Sequence, residues 1–104
     1  MLNEQMQKMP RLKENVLLQD VQTPQSENRE TVIVLPNKNQ IKVVNEVGSF
    51  VLHLIDGKRT VAAIVEEVHR QYAAPLEQIE QDVVKYLQQL AEKEIITLET
   101  VNET

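Results

Sequence analysis

Residues 56–60 read DGKRT, set between VGSFVLHLI (47–55) and VAAIVEEV (61–68). A glycine turn, two cations and a hydroxyl thus interrupt sequence with helical periodicity. Before them, Val47, Phe50, Val51, Leu54 and Ile55 fall at i, i+3, i+4, i+7 and i+8, one face of a helix. After them, Val61, Ile64, Val65, Val68 and Tyr72 repeat the spacing. Asp56-Gly57 is expected to end the first helix, with Gly57 in the left-handed conformation common at helix C-termini. Thr60 is a preferred N-cap for the second helix. Asp56, Gly57, Arg59 and Thr60 therefore read as a structural elbow, with Lys58 and Arg59 filling the turn. The functional alternative is an anion site on the second helix's N-terminus. A phosphate loop, however, needs GxxxxGK[ST] after a strand, and here one glycine follows a helix.

Working outward, a third helix is predicted from Pro75, a residue suited to the first helical position. Its apolar stripe is Leu76, Ile79, Val83, Leu87 and Leu90, and Ile95, Ile96 and Leu98 close the core beneath it. Upstream, Thr31–Leu35 is a β-branched run typical of a strand. The PNKN of residues 36–39 is a connection of hairpin length, and Ile41–Val44 returns as the partner strand. Val16–Val21 is a further strand candidate, and residues 22–30 (QTPQSENRE) read as a loop. The ends, residues 1–10 and 99–104, are expected to be flexible, leaving one domain over residues 11–98.

The chain has 104 residues, a single domain's worth, with 41% hydrophobic but only 3% aromatic residues, so its core must be aliphatic. With no cysteine, disulfides, thiolate metal sites and cysteine nucleophiles are excluded. A net charge of −5 argues against non-specific binding of polyanions, which depends on Lys and Arg displacing counterions. The polar start MLNEQMQKMP lacks a signal peptide's apolar core, and no apolar run reaches membrane-spanning length. These features predict a cytoplasmic protein with no membrane association.

Catalytic and metal constellations are sparse. Glu66 and His69 form one ExxH pair, but di-iron carboxylate bundles need two such pairs and two more glutamates. The other histidine, His53, has Phe50 three residues before it. Ser49 lies in no GxSxG elbow, and the carboxylates Glu66/Glu67 and Glu80/Asp82 fall on polar helix faces. No enzyme activity, cofactor or metal is expected. A helix-turn-helix invites a DNA-binding or regulatory reading. Against it, Glu66 to Glu94 carries acids at 66, 67, 77, 80, 82, 92 and 94 but bases only at 70, 85 and 93. The hairpin adds Lys38 and Lys42 alone, so no nucleic-acid partner is expected.

The segment 39–98 resembles the coenzyme PQQ synthesis protein D family. The likeness rests on Ile55, Asp56, Gly57, Arg59, Thr60 and Val61 at the elbow, then on Tyr72 at the end of the second helix. It continues through Ile79, Asp82, Val83, Tyr86, Leu87 and Leu90 in the third. One departure is Glu94, where the family usually has glycine before the closing apolar pair. The resemblance implies an α+β, winged helix-turn-helix-like fold, a three-stranded antiparallel sheet followed by three helices. It also implies a non-catalytic recognition element for ribosomally made peptides, in PQQ formation, lasso-peptide or related pathways. Such a domain binds a precursor's leader as an added strand beside the third strand and against the third helix. It then presents the core to a modifying enzyme, such as a radical SAM protein or a leader peptidase or cyclase.

The residues fit that implication on independent grounds. An edge strand over Ile41, Lys42, Val43 and Val44 offers backbone groups for an incoming peptide to complete. Some four such bonds, at about 1 kcal/mol net each, fall short of the roughly 8 kcal/mol of micromolar binding. Apolar leader side chains must therefore enter a groove, at about 1.5–3 kcal/mol per fully buried side chain. At 100° per residue, Asp82, Tyr86, Gln89 and Lys93 form a row along one flank of the third helix's stripe. Tyr86 is expected to supply apolar contact, and Asp82, Gln89 and Lys93 orientation and register. A core role for Tyr86, with the other three solvated, is the competing reading. The open strand edge would also permit a domain-swapped dimer.

Overall fold

The β-branched run of residues 31–35 is the centre of the main sheet. The computed structural model describes residues 2–21, 30–35, 40–44 and 46–100. Its elements in chain order are α1 (Leu2–Met6), β1 (Met9–Leu12), β2 (Leu17–Val21), β3 (Glu30–Leu35) and β4 (Gln40–Val44), followed by α2 (Glu46–His53), α3 (Val61–Gln71), α4 (Leu76–Glu92) and β5 (Ile96–Glu99). Strands β2, β3 and β4 form an antiparallel sheet in that order, so β4 is an edge strand with β3 on one side. The architecture is the expected three-stranded sheet followed by three helices. The loop expected over 22–30 lies outside the described residues except for Glu30, as does the 36–39 turn.

Strand alternation divides the sheet into two faces. Thr31, Ile33 and Leu35 are buried against the helices, while Val32 and Val34 point the other way and are half-buried. In register, Leu17 and Ile41 flank Val34 on the outer face, where they are 57% and 70% exposed. On the inner face a polar joint seats α2 on the sheet. Thr31 Oγ1 donates to Asp20 Oδ1 at 3.1 Å and is hydrogen-bonded to the Ser49 hydroxyl, with both Thr31 and Ser49 buried. His53 donates Nδ1–H to the Ser49 carbonyl at 2.7 Å, and its Nε2 lies 3.1 Å from Asp20 Oδ1.

The elbow departs in detail from expectation. Helix α2 stops at His53 and closes through Leu54 N–H to Val51 O (3.0 Å) and Ile55 N–H to Leu52 O (3.1 Å). Gly57, at φ 76°, then belongs to a turn held by Asp56 rather than to the helix end itself. Asp56 Oδ1 accepts the backbone N–H groups of Lys58 (2.9 Å) and Arg59 (3.1 Å), and Oδ2 accepts from the Arg59 guanidinium (2.9 Å). The Lys58 N–H bond leads in holding the Asp56 carboxyl below its usual range. Thr60 caps α3 as expected, its hydroxyl accepting Ala63 N–H at 3.2 Å.

Two stripes also shift. Helix α2 buries Gly48, Ser49, Val51 and Leu52, whereas Val47, expected inside, is 45% exposed. Leu76 is likewise 45% exposed, and Pro75 is the N-cap of α4 rather than its first residue. Val84 joins Ile79, Val83, Leu87 and Leu90 in the core.

The N-terminal segment, set apart as flexible from its sequence, holds α1 over Leu2–Met6 and the start of β1, Met9–Leu12. Strand β1 pairs antiparallel with β5, from Met9 opposite Glu99 to Leu12 opposite Ile96. The Lys8 carbonyl accepts Val61 N–H at 2.9 Å, satisfying one of α3's unpaired first-turn donors. Glu99, assigned to the flexible tail, is the last residue of β5, and residues 101–104 lie outside the described residues. A proline within a four-residue strand conceals β1 in the sequence. Proline is tolerated there because a two-stranded sheet consists only of edges.

Candidate functional site

Helices α2, α3 and α4 enclose a pocket of about 360 Å³. Beside it, the glycine at position 48 lets three elements approach closely. A β-carbon on Gly48 would collide with Val44 Cγ1 and stand 2.8 Å from the Tyr86 hydroxyl oxygen. The last residue of β4, the first turn of α2 and the middle of α4 thus converge on one point. The walls are aliphatic, with Val51 from α2, Val68 from α3 and Ile79 and Val83 from α4. Val47, Tyr72 and Ala74 complete the apolar lining, and the Tyr72 ring packs edge-on against Phe50, centroids 5.8 Å apart at 85°.

Among the described residues, Asp82, Tyr72 and Tyr86 alone bring polar side-chain groups to the lining. Asp82 is exposed, and both its oxygens lie 3.1 Å from Gln78 Nε2 one turn earlier on α4. Tyr86 is half-buried, its hydroxyl enclosed and without a hydrogen-bond partner among the described residues. Burial pushes the Tyr86 hydroxyl from 10.0 to about 12, so it is protonated and a potential donor at neutral pH. Tyr72 is also raised, first by burial and then by the charge of Glu46.

Of the row read from α4, the pocket lining includes Asp82 and Tyr86. Gln89 and Lys93 lie one and two turns further on, both exposed, with Lys93 capping the helix. Of the strand residues, Val44 meets Gly48 beside Tyr86. Lys42 is opposite Ile33 on the helix-facing side, whereas Ile41 is opposite Val34 on the outer face and so presents only its backbone toward this region. Val43 pairs with Val32. The elbow residues Asp56, Gly57, Arg59 and Thr60 are absent from the lining.

Sequence reading missed the contributions of α2 and α3. Val47 and Val51 read as core alone from their spacing, and Val68 and Ile79 serve as core and lining at once. The signal was Gly48, since a glycine inside a helical pattern costs about 1 kcal/mol against alanine and commonly marks a close approach. Among the described residues, no group of three His, Cys, Asp or Glu could hold a metal ion, and no helix is long and apolar enough to cross a membrane. Ser49, His53 and Asp20 are neighbours, but the Ser49 hydroxyl meets Thr31 rather than the imidazole.

The family model for coenzyme PQQ synthesis protein D (PqqD) matches residues 30–96. The PqqA binding protein of Gluconobacter oxydans is 37% identical over 54 residues, 52% of this chain and 56% of that protein. The PqqA binding protein of Bradyrhizobium diazoefficiens is 35% identical over 71 residues, 68% of each chain. The chain thus spans between about half and two thirds of these relatives. Among solved structures, TbiB1 in complex with the TbiA(beta) leader peptide aligns with a TM-score of 0.68 at 20% identity, covering 89% of this chain and 99% of that one. The PqqD truncation of Methylobacterium extorquens PqqCD, a stand-alone recognition element for ribosomally synthesised and modified peptides, aligns at 0.66 with 27% identity, covering 85% and 87%. Both likenesses support a winged-helix-like α+β fold for this chain.

Proposed function

Because the chain belongs to the coenzyme PQQ synthesis protein D family, we propose that it is a non-catalytic adaptor for the leader of a ribosomally made precursor peptide. The leader adds antiparallel or parallel to β4, runs along α4 and places an apolar side chain in the pocket beside Tyr86. The observation that carries this reading is the convergence of an edge strand with an aliphatic pocket at Val44, Gly48 and Tyr86. Backbone pairing supplies part of the affinity, and the pocket supplies the apolar burial that pairing alone lacks. Its relatives are named for binding PqqA, and a short peptide of that class is the partner expected here. The bound precursor is presented in the cytoplasm to a modifying enzyme, such as a radical SAM protein or a leader peptidase or cyclase.

Fluorescence anisotropy tests the proposal. The probes are labelled PqqA, the TbiA(beta) leader and the product of the short reading frame nearest this gene, with duplex DNA as the control. Saturable binding of one peptide at micromolar or better, weakened by Tyr86→Ala, is the expected result. Duplex binding without peptide binding would replace the adaptor with a winged-helix DNA-binding or regulatory domain.

A further inference from the structure

The Tyr86 hydroxyl is an enclosed polar atom with no hydrogen-bond partner among the described residues. Such groups are rare, because protein or water normally satisfies a buried hydroxyl. Phenylalanine would fill the same ring volume without leaving an unpaired group. The oxygen lies against Gly48, both residues line the pocket, and Val44 at the end of β4 reaches the same point. Half of the carbonyls on a strand added to β4 point away from it. Those brought against α4 lose water and need a donor. Asp82, one turn earlier, can only accept when ionised.

Building on the leader-binding reading, we propose that the Tyr86 hydroxyl is a backbone-recognition group that donates a hydrogen bond to a main-chain carbonyl of the bound peptide, where the added strand passes from β4 into the pocket. Burial keeps the proton on the oxygen across neutral pH. The hydroxyl is enclosed in the free protein, so the contact requires the Val44 side chain, packed at the same point, to shift when the peptide binds. The contact reads an extended backbone and is indifferent to the leader residue supplying the carbonyl.

Tyr86→Phe in the full chain is the test, with two readouts. The first is affinity for the same three labelled peptides, PqqA, the TbiA(beta) leader and the nearest short reading frame's product. The second is the melting temperature without peptide. Loss of one neutral hydrogen bond weakens the best-binding peptide about five-fold, while removing an unpaired hydroxyl raises the melting temperature by roughly 4 °C. A residue of purely structural importance would move both readouts in the same direction. Unchanged affinity for a peptide that the wild type binds would overturn the proposal. So would a lowered melting temperature, which would mean that the hydroxyl has a partner in the free protein. Failure of the wild type to bind any of the three would instead overturn the leader-binding reading itself.

Discussion

Glu94 holds a left-handed backbone, φ 62°, one residue past the C-cap of α4. Ile95 N–H bonds to Leu90 O at 2.9 Å and Glu94 N–H to Ala91 O at 3.0 Å, the two bonds of a Schellman ending. Ile95 and Leu90, both buried, provide the apolar contact that goes with it. Sequence resemblance marked position 94 as glycine in relatives, and the conformation explains why. Glu94→Gly should relieve about 1 kcal/mol of strain and raise the melting temperature by about 4 °C or more, as calorimetry would measure. Gly57→Val works the other way. At φ 76° a branched side chain is strained, and its β-carbon would stand 3.1–3.3 Å from the Arg11 guanidinium. A loss of about 1–2 kcal/mol with leader affinity unchanged is expected, whereas lost binding in a folded protein would put the site at the elbow. Tyr86 gives a pH signature. Its folded-state hydroxyl lies above the ordinary 10.0, so the unfolded chain ionises first: the group adds no pH dependence to stability below pH 10 and lowers stability as pH rises from 10 toward about 12. Thermal melts over that interval should decline more steeply for wild type than for Tyr86→Phe.

Close packing of β4, α2 and α4 depends on the absence of a side chain at Gly48. Gly48→Ala gains about 1 kcal/mol in helix propensity but forces Val44 and Tyr86 apart, at about 1–3 kcal/mol. Stability should fall by no more than about 2 kcal/mol, while leader affinity in the same anisotropy assay should drop at least several-fold. Normal binding by the Gly48→Ala variant would show that this convergence is only packing. The helices were legible because their apolar residues recur at helical spacing, so α3 is found where expected and the bounds of α2 and α4 differ from expectation only at their ends. The rotation of α2 was not legible. Val47 and Leu52 are equally apolar, and the polar joint of Ser49 with Thr31 and of His53 with Asp20, distant in sequence, selects the face that is buried. Likewise β1 and β5 are separated by most of the chain, so their pairing leaves no local signal.

For the molecule as a whole, an acidic chain of net charge −5 presents an edge strand and an aliphatic pocket to the same approach. Affinity arising from backbone pairing and apolar burial should change little between about 50 and 200 mM salt. A phosphate-contacting protein would lose about 10³–10⁵ over that range. The row on α4 was read from its helical flank and the β4 edge from the family resemblance, and of these residues the pocket lining holds Asp82 and Tyr86. The pocket between the three helices needed their relative placement, which pattern does not encode. The most direct test of the account is an NMR measurement of backbone amide shifts and hydrogen exchange in the ¹⁵N-labelled chain, with and without a saturating leader peptide. Strand addition predicts that amides of residues 40–44 shift and gain exchange protection, together with shifts at Gly48, Asp82 and Tyr86. Peptide binding that leaves β4 amides unchanged and instead moves those of the elbow or of the α3 surface would contradict it.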